Sequence, residues 1–216
     1  LSIRRQRQMC IRDRCMVADV DPETPGCEVW ASGTTLDGKL YSCRGELLSK
    51  KAPVYKFAGS WTFNMGIWWN GTLNRQMLDR GYVTEYIADN GGSGNRIFLK
   101  EDYGVTTGQG TKNNPVFYGD FWGDWREEMI YVTPDYTELR IFTTNIETKY
   151  RFRPLMYDHV YRLSATHENV GYNQPTHPGF YIGSDLLKDE NMEIGPGGIG
   201  DWKPEEGEHN GSAYED

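Results

Sequence analysis

Two acidic stretches carry the spacing of a cation-binding loop. In Asp120-x-x-Gly123-Asp124-x-x-x-Glu128, carboxylates stand at positions 1, 5 and 9 of a short loop. Ca²⁺ takes roughly six to eight oxygens from flexible loops, and carboxylates at such intervals supply them. Position 3 is Trp122 where an oxygen ligand would be expected, so the loop is a variant of the type. The second stretch is Asp19-x-Asp21, with Glu28 following. Asp19, Asp21, Glu28, Asp120, Asp124 and Glu128 are therefore candidate Ca²⁺ ligands. The plainer alternative is that all six cap turns and face water.

Two further stretches suit a polar ligand. Gly108-Gln109-Gly110-Thr111-Lys112-Asn113-Asn114-Pro115 sets a Gly-rich backbone beside a lysine and two amides. It lacks the G-x-x-x-x-G-K-[ST] spacing of a phosphate loop, and a lone loop lysine is ordinarily just solvated. Asn169-Val170-Gly171-Tyr172-Asn173-Gln174-Pro175-Thr176-His177-Pro178-Gly179-Phe180-Tyr181 is dense in amides, aromatics and rigid prolines. Pyranose rings have apolar faces and hydroxyl rims, which such side chains match. An ordered closing segment with buried tyrosine hydroxyls would read the same way.

The elements that must position these residues are short strands. From Cys15 the sequence alternates strand-like runs with turn dipeptides. Asp37-Gly38 reads as a hairpin turn. Asn70-Gly71 reads as a second, between strands Gly66–Trp69 and Thr72–Leu78. Gly81–Ala88 and Arg96–Lys100 are further strand candidates, and Pro134-Asp135-Tyr136 is a turn. No helix is expected, because Pro154 interrupts the one long candidate, Arg151–Ala165. The stretch from Ala18 to Trp30 resembles that from Gly119 to Tyr131, an acidic loop leading into an apolar strand. The two lie about 100 residues apart, room for two blades of roughly 50 residues with Gly66–Leu78 between them. An all-β sandwich or propeller follows, and the repeat favours the propeller.

Composition sets outer limits. The net charge is −8 and aromatics reach 13%, with 7 Trp and 14 Tyr. A surface of that sign repels nucleic acid and anionic membrane, and neither partner is expected. The 4 Cys, at 10, 15, 27 and 43, include no C-x-x-C pair, which disfavours zinc. A Cys27–Cys43 disulfide is one of three possible pairings; buried free thiols are the alternative. Residues 1–14 are rich in Arg and carry no strand alternation. Met9–Arg14 is what the transposon end ATG-TGT-ATA-AGA-GAC-AG encodes, so residues 1–14 are expected to be adapter-derived and without fixed structure. Residues 15–183 are expected to form the folded domain, and the acidic, Gly-rich 184–216 a tail or linker.

Together these stretches resemble polysaccharide lyase family 11, the rhamnogalacturonan lyases. The strings ADVDPETPGCEVW, FNMGIWWNG, GTKNNP, GDFWGDWREEMIY, LRIFTTN and LMYDHVYRLSATHENVGYNQPTHPGFYIG occur in the family's order between Cys15 and Gly183. The resemblance implies an eight-bladed β-propeller, of which this chain holds the last few blades. It also implies calcium and a bacterial secreted enzyme; a monomer is expected. The implied substrate is rhamnogalacturonan I of pectin, cut at the rhamnose–galacturonate linkage by β-elimination.

By the same resemblance Lys112 and Tyr172 sit at the substrate. Gln109, Gly110, Thr111, Asn169, Gly171 and Asn173 line the sugar subsite, and Arg14 stands where the family has an arginine. Two departures bear on the sugar contacts: Gln109 replaces the asparagine usual before Gly110, and Gly171 replaces an alanine. In the elimination a cation neutralises the galacturonate carboxylate, a base removes the C5 proton and an acid assists departure of O4. The competing expectation is a non-catalytic, sugar-binding propeller module.

Overall fold

The computed structural model describes residues 14–33, 36–50, 63–88, 94–108, 113–168 and 175–186. They form three antiparallel sheets and one α-helix, an all-β architecture. The first sheet is the meander β1 (Arg14–Ala18), β2 (Glu28–Gly33), β3 (Leu36–Ser42) and β4 (Leu47–Ser49). The second is β5 (Met65–Ile67), β6 (Gln76–Asp79), β7 (Tyr82–Thr84) and β8 (Arg96–Leu99). The third is β9 (Phe117–Gly119), β10 (Glu128–Val132) and β11 (Leu139–Phe142). Successive sheets begin roughly 50 residues apart, the spacing expected of blades. Among the described residues the sheets do not close into a ring.

Burial follows the strand period of two. On β1, Met16 and Ala18 are buried and Val17 is exposed, so the first sheet has one inner face. Met16, Ala18, Trp30 and Leu40 pack there against Phe63, which precedes the second sheet, and against Met77 within it. All four residues of β6 are buried, because the second sheet is covered on both faces. Its opposite side, with Met65, Ile67, Leu78, Val83 and Phe98, packs on Tyr118, Met129 and Tyr131 of the third sheet. The outer face of the first sheet carries a row of paired apolar residues, Val17, Val29, Tyr41 and Leu47, all exposed.

The turns differ from expectation in instructive ways. Pro134-Asp135-Tyr136 is the β10–β11 turn as expected, closed by Tyr136 N–H to the Thr133 carbonyl at 2.9 Å. Arg80 and Gly81 make the tight β6–β7 turn with φ of 53° and 81°, which favours glycine at the second position. Asp37-Gly38 is not a turn. Asp37 pairs with Ser32 inside β3, and the chain reverses before Leu36. Asn70-Gly71 does turn, with the Asn70 side chain accepting from Thr72 N–H at 3.0 Å. The following strand starts at Gln76 rather than Thr72, because Leu73 is drawn into the core beside Trp68.

One helix forms where none was expected. α1 (His159–His167) begins after Pro154, so the proline lies outside it and costs no helical hydrogen bond. Asp158 caps it, accepting from the N–H groups of Val160 and Tyr161. Its buried residues Tyr161 and Ala165 join Trp68, Trp125, Phe152 and Leu155 in a third apolar cluster. No described helix is long and apolar enough to cross a membrane.

Candidate functional site: acidic corners and a cavity beside the closing segment

The three sheets share one corner. Where the first strand of each sheet turns into the second, a side chain at the head of the second strand holds the loop. Glu28 pairs with Ala18, and its Oε2 accepts from the N–H groups of Val20 and Asp21 at 2.8 and 3.0 Å. Gln76 pairs with Ile67, and its Oε1 accepts from Trp69 and Asn70 at 2.7 and 2.9 Å. Glu128 pairs with Gly119, and its Oε2 accepts from Phe121 and Trp122, both at 3.1 Å. The residue that follows the first strand is Asp19, Trp68 and Asp120 respectively. The acidic repeat is thus a structural one. Its middle copy is neutral.

In the first corner Asp19, Asp21 and Glu28 are all buried. Asp19 accepts from the Asn74 amide at 2.6 Å, from the Tyr181 hydroxyl at 3.0 Å and from the Ser184 N–H. Asp21 accepts from Glu23 N–H and the Thr24 hydroxyl, each at 3.1 Å. Oε1 of Glu28 is buried without a hydrogen-bond partner. Burial, reinforced by the charges of Asp19 and Asp21, pushes the Glu28 carboxyl up to about 7; burial also raises Asp19. A buried carboxylate oxygen with no donor costs free energy that a cation would remove. The first corner fits Ca²⁺ on that ground.

The third corner is more fully occupied. Asp120 accepts from Gly123 N–H at 2.8 Å and from Leu155 N–H. Asp124 is engaged by the N–H and guanidinium of Arg126. Oε1 of Glu128 accepts from the Thr143 hydroxyl at 3.3 Å. Burial raises Asp120 to about 6 and Glu128 to about 7. Asp124 therefore already has a cationic partner, and this set fits a metal less well. Among the described residues no three His, Cys, Asp or Glu side chains converge as a ready-made metal cluster.

A buried polar network ties these corners to the closing segment. Arg75 is 5% exposed; its guanidinium meets the Glu127 carboxylate at 3.1 Å and lies 4.2 Å from the centre of the Trp68 ring. It also donates to the carbonyl and hydroxyl of Thr176 at 2.8 and 2.9 Å. Glu127 accepts from Trp68 N–H at 3.0 Å and from the Tyr161 hydroxyl at 2.7 Å. Tyr118 then joins both sides of the stretch 169–174. Its N–H donates to Glu168 at 3.1 Å, and its hydroxyl accepts from Thr176 N–H at 2.9 Å. Burial raises Glu168 to about 9, so its carboxyl is neutral at pH 7.

A cavity of about 630 Å³ lies beside this network. Cys15, Val17 and Trp30 of the first sheet line one side, and Leu163, His167 and His177 another. Pro175 lines it too. The cavity thus joins the start of β1, where Arg14 pairs with Ser32, to the residues that immediately follow 169–174. Burial and the nearby Arg75 charge hold the His177 imidazole below its ordinary range.

Of the residues expected from sequence, the six acidic ones fall in the first and third corners as two separate groups. Gln109, Gly110, Thr111, Lys112, Asn169, Gly171, Tyr172 and Asn173 lie outside the described residues, as do residues 1–13 and the Arg14 side chain. The packed region runs past Gly183 to Leu186, which is buried. Sequence reasoning missed Arg75, Glu127, Tyr118, Glu168 and Thr176. The one available signal was the doublet Glu127-Glu128. Adjacent strand residues point to opposite faces, so two acids in a row at a strand head have two different partners.

The chain is 40% identical over 175 residues to the rhamnogalacturonan endolyase YesW of Bacillus subtilis (strain 168). To the rhamnogalacturonan exolyase YesX of the same organism it is 37% identical over 187 residues. Each match covers 81% of this chain, but 26% of YesW and 29% of YesX. The chain therefore spans under a third of the length of these relatives. The crystal structure of YesW superposes with a TM-score of 0.68 at 40% identity, over 79% of this chain and 27% of that one. The rhamnogalacturonan lyase PL11 of Bacillus licheniformis does so with 0.66 at 40% identity, over the same shares. Residues 3–192 match the family described as rhamnogalacturonan lyase family 11, C-terminal domain. With most of its length inside that match, the chain belongs to rhamnogalacturonan lyase family 11, as the C-terminal domain.

Proposed function

We propose that the protein of which this chain is the C-terminal domain cleaves the rhamnose–galacturonate backbone of rhamnogalacturonan I by β-elimination. The observation that carries this reading is family membership at 40% identity to an endolyase. Lys112 and Tyr172 are the proposed catalytic pair, and Arg14 a further cationic contact with the substrate. Gln109, Gly110, Thr111, Asn169, Gly171 and Asn173 hold the sugar. A lysine base requires a lowered pKa, which a neighbouring cation supplies.

Calcium is proposed as the cofactor. Asp19, Asp21 and Glu28 would hold it in the first corner, where Oε1 of Glu28 awaits a partner. Asp120, Asp124 and Glu128 are the weaker set, because Arg126 already pairs with Asp124. Bound near the substrate, such an ion supplies neutralisation of the galacturonate carboxylate. The three sheets are proposed as consecutive blades of an eight-bladed propeller, which would cover the exposed row Val17, Val29, Tyr41 and Leu47 with a preceding blade. A secreted, bacterial, monomeric enzyme completes the reading.

The test is the full-length protein on rhamnogalacturonan I, followed by absorbance of the unsaturated uronate with calcium and with chelator. Absorbance should rise, and Lys112→Ala and Tyr172→Phe should each slow it at least tenfold without loss of folding. Sugar binding with no absorbance change would leave a carbohydrate-binding module instead.

A further inference from the structure

Cys27 and Cys43 stand at the same end of the first sheet. Glu28 pairs with Ser42 in the antiparallel β2–β3 register, so the next step of that register sets Cys27 opposite Cys43. Directly opposed residues of antiparallel strands have Cα atoms roughly 4.5–5.5 Å apart, inside the range a disulfide spans. The local chain holds both in place. Ser42 anchors the turn after β3, its hydroxyl accepting from the N–H groups of Arg44 and Glu46 at 3.3 and 3.2 Å. On the other side Gly26 has φ +89°, and a Cβ there would lie 2.6 Å from the Cys43 sulfur. That sulfur also donates to the Pro25 carbonyl at 3.9 Å. It therefore rests on the two residues that precede Cys27.

We propose that Cys27 and Cys43 are an oxidation site that closes into a cross-strand disulfide and staples the first acidic corner to the β3–β4 turn. Both are free thiols here, Cys43 exposed and Cys27 half-buried. The oxidant is a small dialkyl disulfide such as oxidised glutathione. The exposed Cys43 thiolate attacks one of its sulfurs, forming a mixed disulfide and releasing one small thiol. The Cys27 thiolate then attacks the Cys43 sulfur and expels the second. The two protein thiols lose two electrons and two protons, and one small disulfide becomes two thiols.

The bond would join the end of the Asp19–Glu28 loop to a strand that already pairs with it. It therefore holds Glu28 and its neighbours in register rather than closing a long free loop, and a modest gain in melting temperature is expected. Nothing in this inference depends on the proposed lyase reaction.

The test exposes the purified chain to oxidised glutathione, alkylates the remaining thiols and digests with trypsin and a Glu-specific protease. Residues 24–28 and 40–44 then fall in separate peptides with one cysteine each. The expected result is these two peptides linked, Cys15 alkylated, and a melting temperature a few degrees above the reduced chain. Cys27→Ser and Cys43→Ser should each abolish the link and the shift, and Cys15→Ser should change neither. Persistent glutathione on Cys43 in the wild-type chain would overturn the proposal. So would Cys43 linked to Cys15, or both peptides alkylated after prolonged oxidation at pH 8.5. The wild-type peptide map decides the matter even where a serine variant fails to fold.

Discussion

Glu28 and Gln76 do the same backbone work in successive sheets: each takes two loop N–H groups on a single oxygen. An uncharged side chain is thus sufficient to hold the corner, and the charge on Glu28 serves something else. Glu28→Gln should keep both hydrogen bonds and remove a buried charge. In chelator its stability should equal or exceed that of the wild type, within about 1 kcal/mol. Added calcium should raise the wild-type melting temperature and leave the variant unmoved. An equal calcium-dependent rise in both would separate Glu28 from any cation.

The raised carboxyls set a pH dependence. Glu28 and Glu128 are held near 7 and Glu168 near 9, against an ordinary value of 4.5, in each case first by burial. Between those limits the folded chain keeps protons that the unfolded chain has released, so stability falls as pH rises. Their contribution is fully present below about pH 4.5. Glu28 and Glu128 lose theirs by about pH 7, and Glu168 continues the decline to about pH 9. Urea midpoints in chelator should drop from pH 5 to pH 9. A midpoint that climbs across that range contradicts the assignment.

Arg75 and Glu127 form a pair with almost no solvent contact. Removing one partner strands the other charge. Arg75→Met should cost about 3–5 kcal/mol in urea unfolding. Arg75→Met combined with Glu127→Gln should recover part of that, because no charge is then left unpaired. A double variant no more stable than the single one would mean that the network's hydrogen bonds matter more than its charges.

Tyr118 grips both sides of the 169–174 stretch, through Glu168 and Thr176. Tyr118→Phe should leave the Thr176 N–H buried without an acceptor and cost about 1–3 kcal/mol. In the full-length protein acting on rhamnogalacturonan I it should lower kcat by more than it raises KM. A change in KM alone would place its effect on substrate binding instead.

The sequence by itself determined most of the strands, the Pro134-Asp135-Tyr136 turn, the spacing of the sheets and the family. Period-two burial, turn dipeptides and long strings such as GDFWGDWREEMIY are local signals, legible without a fold. The helix was hidden because Pro154 looked interior, while the Asp158 cap that starts the helix after it is a matter of backbone geometry. Asp37-Gly38 has the residues of a turn, but the pairing of Ser32 with Asp37 placed it inside β3. Only the folded structure shows Gln76 in the same role as Glu28 and Glu128, one corner in three copies. It alone brought Arg75 to Glu127 and Thr176, and Ser184 to Asp19, across 52, 101 and 165 residues of chain. Such partners are chosen by which sheet faces meet, and no local pattern in the chain carries that information.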